Sequence, residues 1–415
     1  MTADGFSETV VTLGCRLNLA ESETIRMMLA GAPGLAGAPG LVGAPGLAGA
    51  PRHQVVVNTC AVTAEAVRQS RRAVRRLRRA HPDAQLIVTG CAATIDPAAF
   101  AAMAEVDAVV LNPAKLLPQT WHAPARPNGA PSAHHTRAFV PVQTGCDHAC
   151  TFCIIPAGRG ASVSSPIEDV VRRIDAHLAH GVNEVVLTGV DVTGWGADLP
   201  GTPRFGDLVA AILLAFPDMP RLRLSSLDGV EIDDHLFDIL TSEARVMPHV
   251  HLSLQSGDDM VLKRMKRRHS RGDAVNLVER LIARRPEIAI GADLIAGFPT
   301  ETEAMHANNL SLIAAARIVH GHIFPYSPRP GTPAARMPQV DPVIVRARAA
   351  ELRASVAQAR AVWLQTLVGR PREVLAERDG TGHSGEFAGY RLPTGTVAGQ
   401  LVTLTPTSIT EGLLA

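Results

Sequence analysis

AFVPVQTGCDHACTFC, residues 138–153, runs from a β-branched, apolar strand straight into three cysteines, Cys146, Cys150 and Cys153, spaced C-x3-C-x2-C. Cysteine thiolates are the usual ligands of a cubane 4Fe–4S cluster, which needs four of them. This loop supplies three, and the nearest other cysteine in the chain is Cys91. One iron would then lack a protein ligand, and an open metal position marks a catalytic rather than a structural site. Zinc held by the three cysteines and His148 is the plainer alternative. A histidine two positions from both neighbouring cysteines closes a tetrahedron poorly.

Downstream of the loop, NEVVLTG, RLRLSS, HVHLSLQSG, IAIGADLIAG and HGHIFPY repeat the strand pattern up to about His322, with helical segments between most of them. Together with AFVPVQTG they make six β/α units, a partial (β/α)6 version of the parallel barrel, whose active sites lie at the strand carboxyl ends. The first helix reads with Ser165 as N-cap, Pro166 at its first position, Glu168 three residues after the cap and Gly181 as its stop. A long helix over about Pro342–Leu367 leads out. The remaining residues, with REVLAER, GEFAGYRLP and TVAGQLVTLTP, read as a small all-β module of the oligonucleotide-binding kind.

Upstream, ETVVTLGCRLN, QVVVNTCAVT and QLIVTGCAAT each place a cysteine (Cys15, Cys60, Cys91) where an apolar strand gives way to a helix. Short apolar runs alternating with helices predict a buried parallel sheet. In such a sheet all carboxyl ends share one edge, the edge at which ligands bind. The three cysteines are thereby expected on one rim; three small core residues are the alternative. The α/β architecture thus divides into a parallel-sheet domain over 1–120, a linker over 121–136, the barrel over 137–367 and the β module over 368–415. A GAPGLA/GAPGLV repeat at 31–51 reads as a surface loop inserted in the first domain.

With 40 Lys+Arg against 39 Asp+Glu, no uniformly basic coat is available for nucleic acid, so polyanion contacts must come from local patches. RQSRRAVRRLRR (68–79) and LKRMKRRHSR (262–271) are two such runs. The amino terminus lacks the pattern of a signal peptide and no apolar run is long enough to span a membrane. A cytoplasmic protein with reduced thiols is expected, which disfavours three disulfides and favours metal or redox chemistry for the six cysteines.

The C-x3-C-x2-C loop, with an aromatic before its last cysteine, resembles the radical S-adenosylmethionine (SAM) superfamily. The resemblance implies that Cys146, Cys150 and Cys153 hold a catalytic 4Fe–4S cluster whose open iron chelates SAM. It also implies SAM contacts at Phe152, Gly189, Asp191, Gln255 and Asp293, the last within GADLIAGFPTE. Three cysteines on a preceding sheet edge and a terminal β module resemble the methylthiotransferase family within it. Cys15, Cys60 and Cys91 then correspond to ligands of a second 4Fe–4S cluster, and the terminal module to a TRAM domain with Phe387 and Tyr390 as candidate stacking residues.

GCRLN (14–18), NTCAVT (58–63) and FPYSPRPGT (324–332) look most like the threonylcarbamoyl (MtaB-type) branch. That branch adds a methylthio group to C2 of N6-threonylcarbamoyladenosine in tRNA. The sister branches act on isopentenyladenosine in tRNA or on an aspartate of a ribosomal protein. The implied partners are the anticodon stem-loop of tRNA and an electron donor such as flavodoxin or ferredoxin, with no DNA and no membrane. A non-catalytic iron–sulfur protein that binds RNA or carries electrons would want four ligands per cluster, and the three-plus-three count favours the enzyme.

Overall fold

The computed structural model describes residues 10–30, 53–123 and 136–415. The insert at 31–51 and residues 124–135 of the linker lie outside them. Strands β1 (Val10–Thr12), β2 (Gln54–Thr59), β3 (Gln85–Gly90) and β4 (Ala108–Val109) form one parallel sheet in chain order. Alternate residues face opposite sides. Val55, Val57, Leu86 and Val88 pack on Ala73, Val74 and Leu77 of helix Ala64–Ala80, and Val56 and Ile87 pack on Ile25, Met28 and Trp121. Two-residue β4 is too short to carry a sequence pattern. Trp121, read as the head of the linker, is core instead. It is 1% exposed and its Nε1 donates to the Lys115 carbonyl at 2.7 Å.

β5 (Ala138–Pro141) leads into a two-stranded hairpin of β6 (Gln143–Thr144) and β7 (Val163–Ser164) that frames the 146–153 loop. β5 pairs in parallel with β8 (Glu184–Thr188), and β8 with β9 (Arg221–Leu224). β10 (His249–Gln255), β11 (Ala289–Ala296) and β12 (Ile318–Pro325) form a second parallel sheet. Parallel bridges at Leu222–Val246 and Leu227–Leu252 carry the first sheet into the second. All six strands expected from the sequence are present. Helix Arg16–Ala30 flanks the free edge strand β5, and helix Pro342–Gln365 flanks the other edge, β12. Helix Ile167–Leu178 starts one residue later than predicted, with Pro166 as cap. Ser165 is held extended by its own N–H donating to Val142 O and by its carbonyl, which accepts from Trp195 Nε1.

The carboxyl-terminal strands β13 (Arg372–Ala376), β14 (Thr381–Ser384), β15 (Gly389–Arg391), β16 (Leu401–Leu404), β17 (Ile409–Thr410) and β18 (Leu413–Leu414) form one sheet in the order β16-β13-β14-β15-β18-β17. It closes the amino-terminal end of the barrel through charge. Buried Glu184 accepts from Arg223 and Arg137, Arg137 also reaches Glu377, and Arg221 reaches Glu373. Phe387 is wedged into this seam, stacked on His249 and His383 with Arg223 4.9 Å from its ring centroid. Tyr390 is 1% exposed in the sheet's own core. Neither ring is presented as a platform for RNA bases. Among the described residues no helix is long and apolar enough to cross a membrane.

Candidate active site

Each cysteine sits where a strand stops. Cys15 precedes helix Arg16–Ala30, Cys91 is the first residue of helix Cys91–Ile95 directly after β3, and Cys60 directly follows β2. The sheet therefore brings the three thiols to one rim. Gly14, at φ +98°, makes the turn into Cys15. A Cβ there would lie 2.7 Å from Cys60 Sγ, so only glycine leaves the space between these two cysteines open. Burial raises the Cys60 thiol, and Cys15 and Cys91 raise it further.

The second triad is held by the hairpin. Gly145, at φ +73°, presses so close to Ala161 O that a Cβ would fall 1.8 Å from it. Thr151 pins the loop from the other side: its N–H donates to Met265 O at 3.1 Å and its Oγ1 to Arg264 O at 2.8 Å. Burial, then the neighbouring Asp191 and cysteines, pushes the Cys146 thiol up to about 12, and burial pushes Cys153 up to about 11. Thiols so disposed ionise readily only against a strong local positive charge, which iron supplies. Each triad also has an arginine. Arg267 donates to Cys150 Sγ at 3.8 Å, and buried Arg159 lies in the field of Cys15 and Cys91. Asn112 Nδ2 donates to Cys91 Sγ at 3.7 Å. Three thiols, flanking N–H donors and a compensating arginine fit a 4Fe–4S cube with three ligands on each side.

Sequence neighbours of both triads line one cavity. The cavity, of about 230 Å³, is lined by Val62 and Thr63, just past Cys60, and by Phe152, beside Cys153. Gln255, Asp293, Tyr326 and Ser327 complete it from the strand carboxyl ends. Three of the residues expected to touch SAM, Phe152, Gln255 and Asp293, thus meet in one space. Gly189 and Asp191 are not in its lining. They stand at the Cys146 side, where Asp191 Oδ2 is 4.0 Å from Cys146 Sγ and 2.8 Å from His148 Nε2. Asp293 is held far below the usual carboxylate range: burial opposes this, but hydrogen bonds from His251 (3.0 Å) and His322 (3.1 Å) outweigh it.

Sequence reasoning missed several residues that build this site. Gln143 is 2% exposed; its Oε1 accepts from the N–H groups of Val190 and Asp191, and its Nε2 donates to Gly145 O. It ties the cysteine loop to the end of β8. Its only signal was a polar side chain in an apolar strand. Glu21, Lys115 and Arg159 form a buried ionic cluster near Cys15 and Cys91, with Arg159 Nη1 2.8 Å and Lys115 Nζ 2.6 Å from the carboxylate. In the run 262–271, Arg267 is turned inward to Asp228, whereas Arg268 pairs with Asp228 and Glu231 from an exposed position and Lys263 and Lys266 are exposed. In the run 68–79, Arg68 and Arg72 pair with Glu65, Arg71 with Asp96, Arg75 with Glu105 and Arg78 with Asp107. Arg76 and Arg79 have no carboxylate partner among the described residues.

The pattern of the radical SAM superfamily matches residues 140–313, and that of an uncharacterized protein family, UPF0004, matches residues 8–111. The threonylcarbamoyladenosine tRNA methylthiotransferase MtaB of Rickettsia prowazekii is 42% identical over 98% of this chain and 96% of its own length. The tRNA-2-methylthio-N(6)-dimethylallyladenosine synthase of Novosphingobium aromaticivorans is 34% identical over 92% of this chain and 88% of its own. Among solved structures, the radical S-adenosylmethionine methyltransferase TsrM of Kitasatospora setae aligns with a TM-score of 0.49 at 16% identity, covering 68% of this chain and 64% of that one. On near-full-length identity to the first relative, joined to a cavity lined by neighbours of both cysteine triads, this chain belongs to the radical SAM methylthiotransferase family.

Proposed function

We propose that the chain adds a methylthio group to C2 of N6-threonylcarbamoyladenosine beside the anticodon of tRNA, using SAM and two 4Fe–4S clusters. The observation that carries the reading is one cavity lined both by Thr63, three residues past Cys60, and by Phe152, beside Cys153. When bound, the clusters and SAM supply one-electron cleavage to a 5′-deoxyadenosyl radical at one side and sulfur at the other. Cys146, Cys150 and Cys153 hold the first cluster, and Cys15, Cys60 and Cys91 the second. Phe152 packs edge-on against Phe298, giving an apolar wall suited to the SAM adenine. Gly189, Asp191, Gln255 and Asp293 offer the polar contacts around it.

A base must leave its stack to enter this cavity, and anticodon-loop bases are already partly splayed. Residues 368–415 act as a TRAM-like, RNA-gripping module on a (β/α)6 core over 137–367, with the second-cluster domain over 1–120. Since Phe387 and Tyr390 face inward, that grip comes from phosphate contacts rather than base stacking. A flavodoxin- or ferredoxin-type donor supplies the electron, and the site of action is the cytoplasm, where tRNA is. The test is mass spectrometry of tRNA nucleosides from a deletion strain with and without the gene restored. Loss and return of 2-methylthio-threonylcarbamoyladenosine supports the reading. Loss of the isopentenyl analogue instead moves the chain to the sister branch.

A further inference from the structure

Next to the cavity lined by Phe152 and Thr63 lies a second one, of about 370 Å³, lined by residues of β10, β12 and helix Pro342–Gln365 together with Arg16 and Phe387. Its walls carry Arg16 from the first sheet's rim and Arg353 and Arg360 from helix Pro342–Gln365, along with His249, His320 and His322; none of its lining residues is acidic. Arg16 makes no hydrogen bond or ion pair with any described residue. Arg353 spends one nitrogen on Ile323 O at 3.0 Å. Arg360 Nη1 lies 2.6 Å from His320 Nδ1, and His320 Nε2 is 3.2 Å from Glu386 O, an arrangement that suits a neutral imidazole and leaves the guanidinium its other donors. His249 is 7% exposed, and neither of its ring nitrogens has a partner among the described residues.

Arg16 and Arg360 are half-buried and Arg353 is exposed, so the three present their guanidinium groups to one cavity with no carboxylate in its lining, a set that suits a ligand supplying the missing charge. Burial and Arg360 bring His320 down to about 3, and burial, with His320 and Arg223 adding to it, takes His249 well below its ordinary value. The lining is therefore cationic at the arginines and neutral at His249 and His320, which suits one compact anion.

We propose that this pocket binds the carboxylate of the amino-acid arm on N6 of the substrate adenosine, with Arg16 and Arg360 as its charged partners. Arginine presents paired N–H donors that match a carboxylate bidentately. The placement suits the nucleoside. Along β12 the second pocket is lined up to His322 and the first from Phe324 onward, a step of two residues or about 7 Å. A base whose C2 lies in the first cavity can therefore extend its arm into the second, past Asp293 and the two histidines that hold it. The inference rests on the tRNA reading above and names what selects the substrate within it.

The test measures binding of three anticodon stem-loop RNAs to the reconstituted holoenzyme: one with the threonylcarbamoyl arm, one with its carboxylate as the primary amide, and one with unsubstituted adenosine. The wild type binds the carboxylate form about tenfold or more tighter than the amide. Arg16→Gln reduces that preference to within about twofold, and the double variant Arg353→Gln/Arg360→Gln does the same from a helix remote from the cysteines, while the unsubstituted loop binds all proteins alike. Equal wild-type affinity for acid and amide overturns the proposal, even if both loops become methylthiolated and the tRNA reading stands. Equal weakening of all three loops in the variants also overturns it, since the arginines would then hold a backbone phosphate. Intact discrimination with no methylthiolation of any loop sinks the functional reading and leaves the anion pocket.

Discussion

Arg159, just past the last cysteine of the 146–153 loop, donates to both oxygens of Glu21 on the helix that follows Cys15, at 2.8 and 3.0 Å. Lys115 closes on the same carboxylate, and Arg159 also reaches Asn18 Oδ1 at 2.6 Å. Burial would raise Glu21, but Lys115 and Arg159 together lower it. One buried anion thus fixes the rim of the first sheet against the cysteine loop of the barrel. Glu21→Gln leaves two buried cations without a counter-charge, a change worth about 3–5 kcal/mol. Faster hydrogen exchange is expected in helices Arg16–Ala30 and Ile155–Arg159, and unchanged protection there would remove the cluster's role in docking.

Gly14→Ala places a methyl group 2.7 Å from Cys60 Sγ at a φ that L-residues rarely adopt. Reconstituted protein is expected to lose about half its iron while keeping reductive SAM cleavage, because only the first triad is disturbed. Full iron content in this variant would mean that Cys15 and Cys60 do not share a cluster.

Glu184 should govern acid stability at the barrel's base. Burial opposes its ionisation, yet Arg223 and Arg137 hold it at about 2, below its ordinary 4.5. A depressed carboxylate stabilises the fold fully above the unfolded value and loses that contribution as pH falls toward the folded one. Loosening of the carboxyl-terminal sheet is therefore expected between about pH 4.5 and 2. In Glu184→Gln it should already be loose at neutral pH, by about 3–5 kcal/mol. Limited proteolysis near residue 370 across that range reads it out, and identical profiles for wild type and variant would refute the assignment.

Arg76 and Arg79 are the arginines of helix Ala64–Ala80 without a carboxylate partner among the described residues, and they are the ones expected to meet phosphate. Replacing both with glutamate should flatten the salt dependence of tRNA binding by roughly one unit of slope per lost contact. Replacing Arg68 and Arg72, which already share Glu65, should change it much less. The reverse order would assign the phosphate contacts to the paired face.

Strand–cysteine junctions were legible in the sequence because apolar runs ending in cysteine force both the sheet and the rim. The six barrel strands were legible for the same reason. What the sequence hides is pairing at a distance. The seven arginines of 68–79 look like a phosphate-binding face until Glu65, Asp96, Glu105 and Asp107 are seen to neutralise five of them. Arg267 looks like part of a basic patch but is turned inward to Asp228 and Cys150. Phe387 and Tyr390 fit the profile of RNA-stacking aromatics, and only the docking of the last sheet shows one wedged in the seam and the other in the core. Arg16 follows Cys15 and reads as a helix start; its place in the second cavity depends on how the first sheet meets helix Pro342–Gln365.

The central claim is that two cysteine triads, whose neighbours line one cavity, together methylthiolate the threonylcarbamoyl adenosine. Its most direct test is a single-turnover reaction of reconstituted protein, SAM and reductant with an anticodon stem-loop carrying that nucleoside, followed by mass spectrometry of RNA and SAM products. Wild type should yield the 2-methylthio nucleoside together with 5′-deoxyadenosine. Cys15→Ala/Cys60→Ala/Cys91→Ala should yield 5′-deoxyadenosine alone, and Cys146→Ala/Cys150→Ala/Cys153→Ala neither. Methylthio product from the variant lacking Cys15, Cys60 and Cys91 would contradict the account.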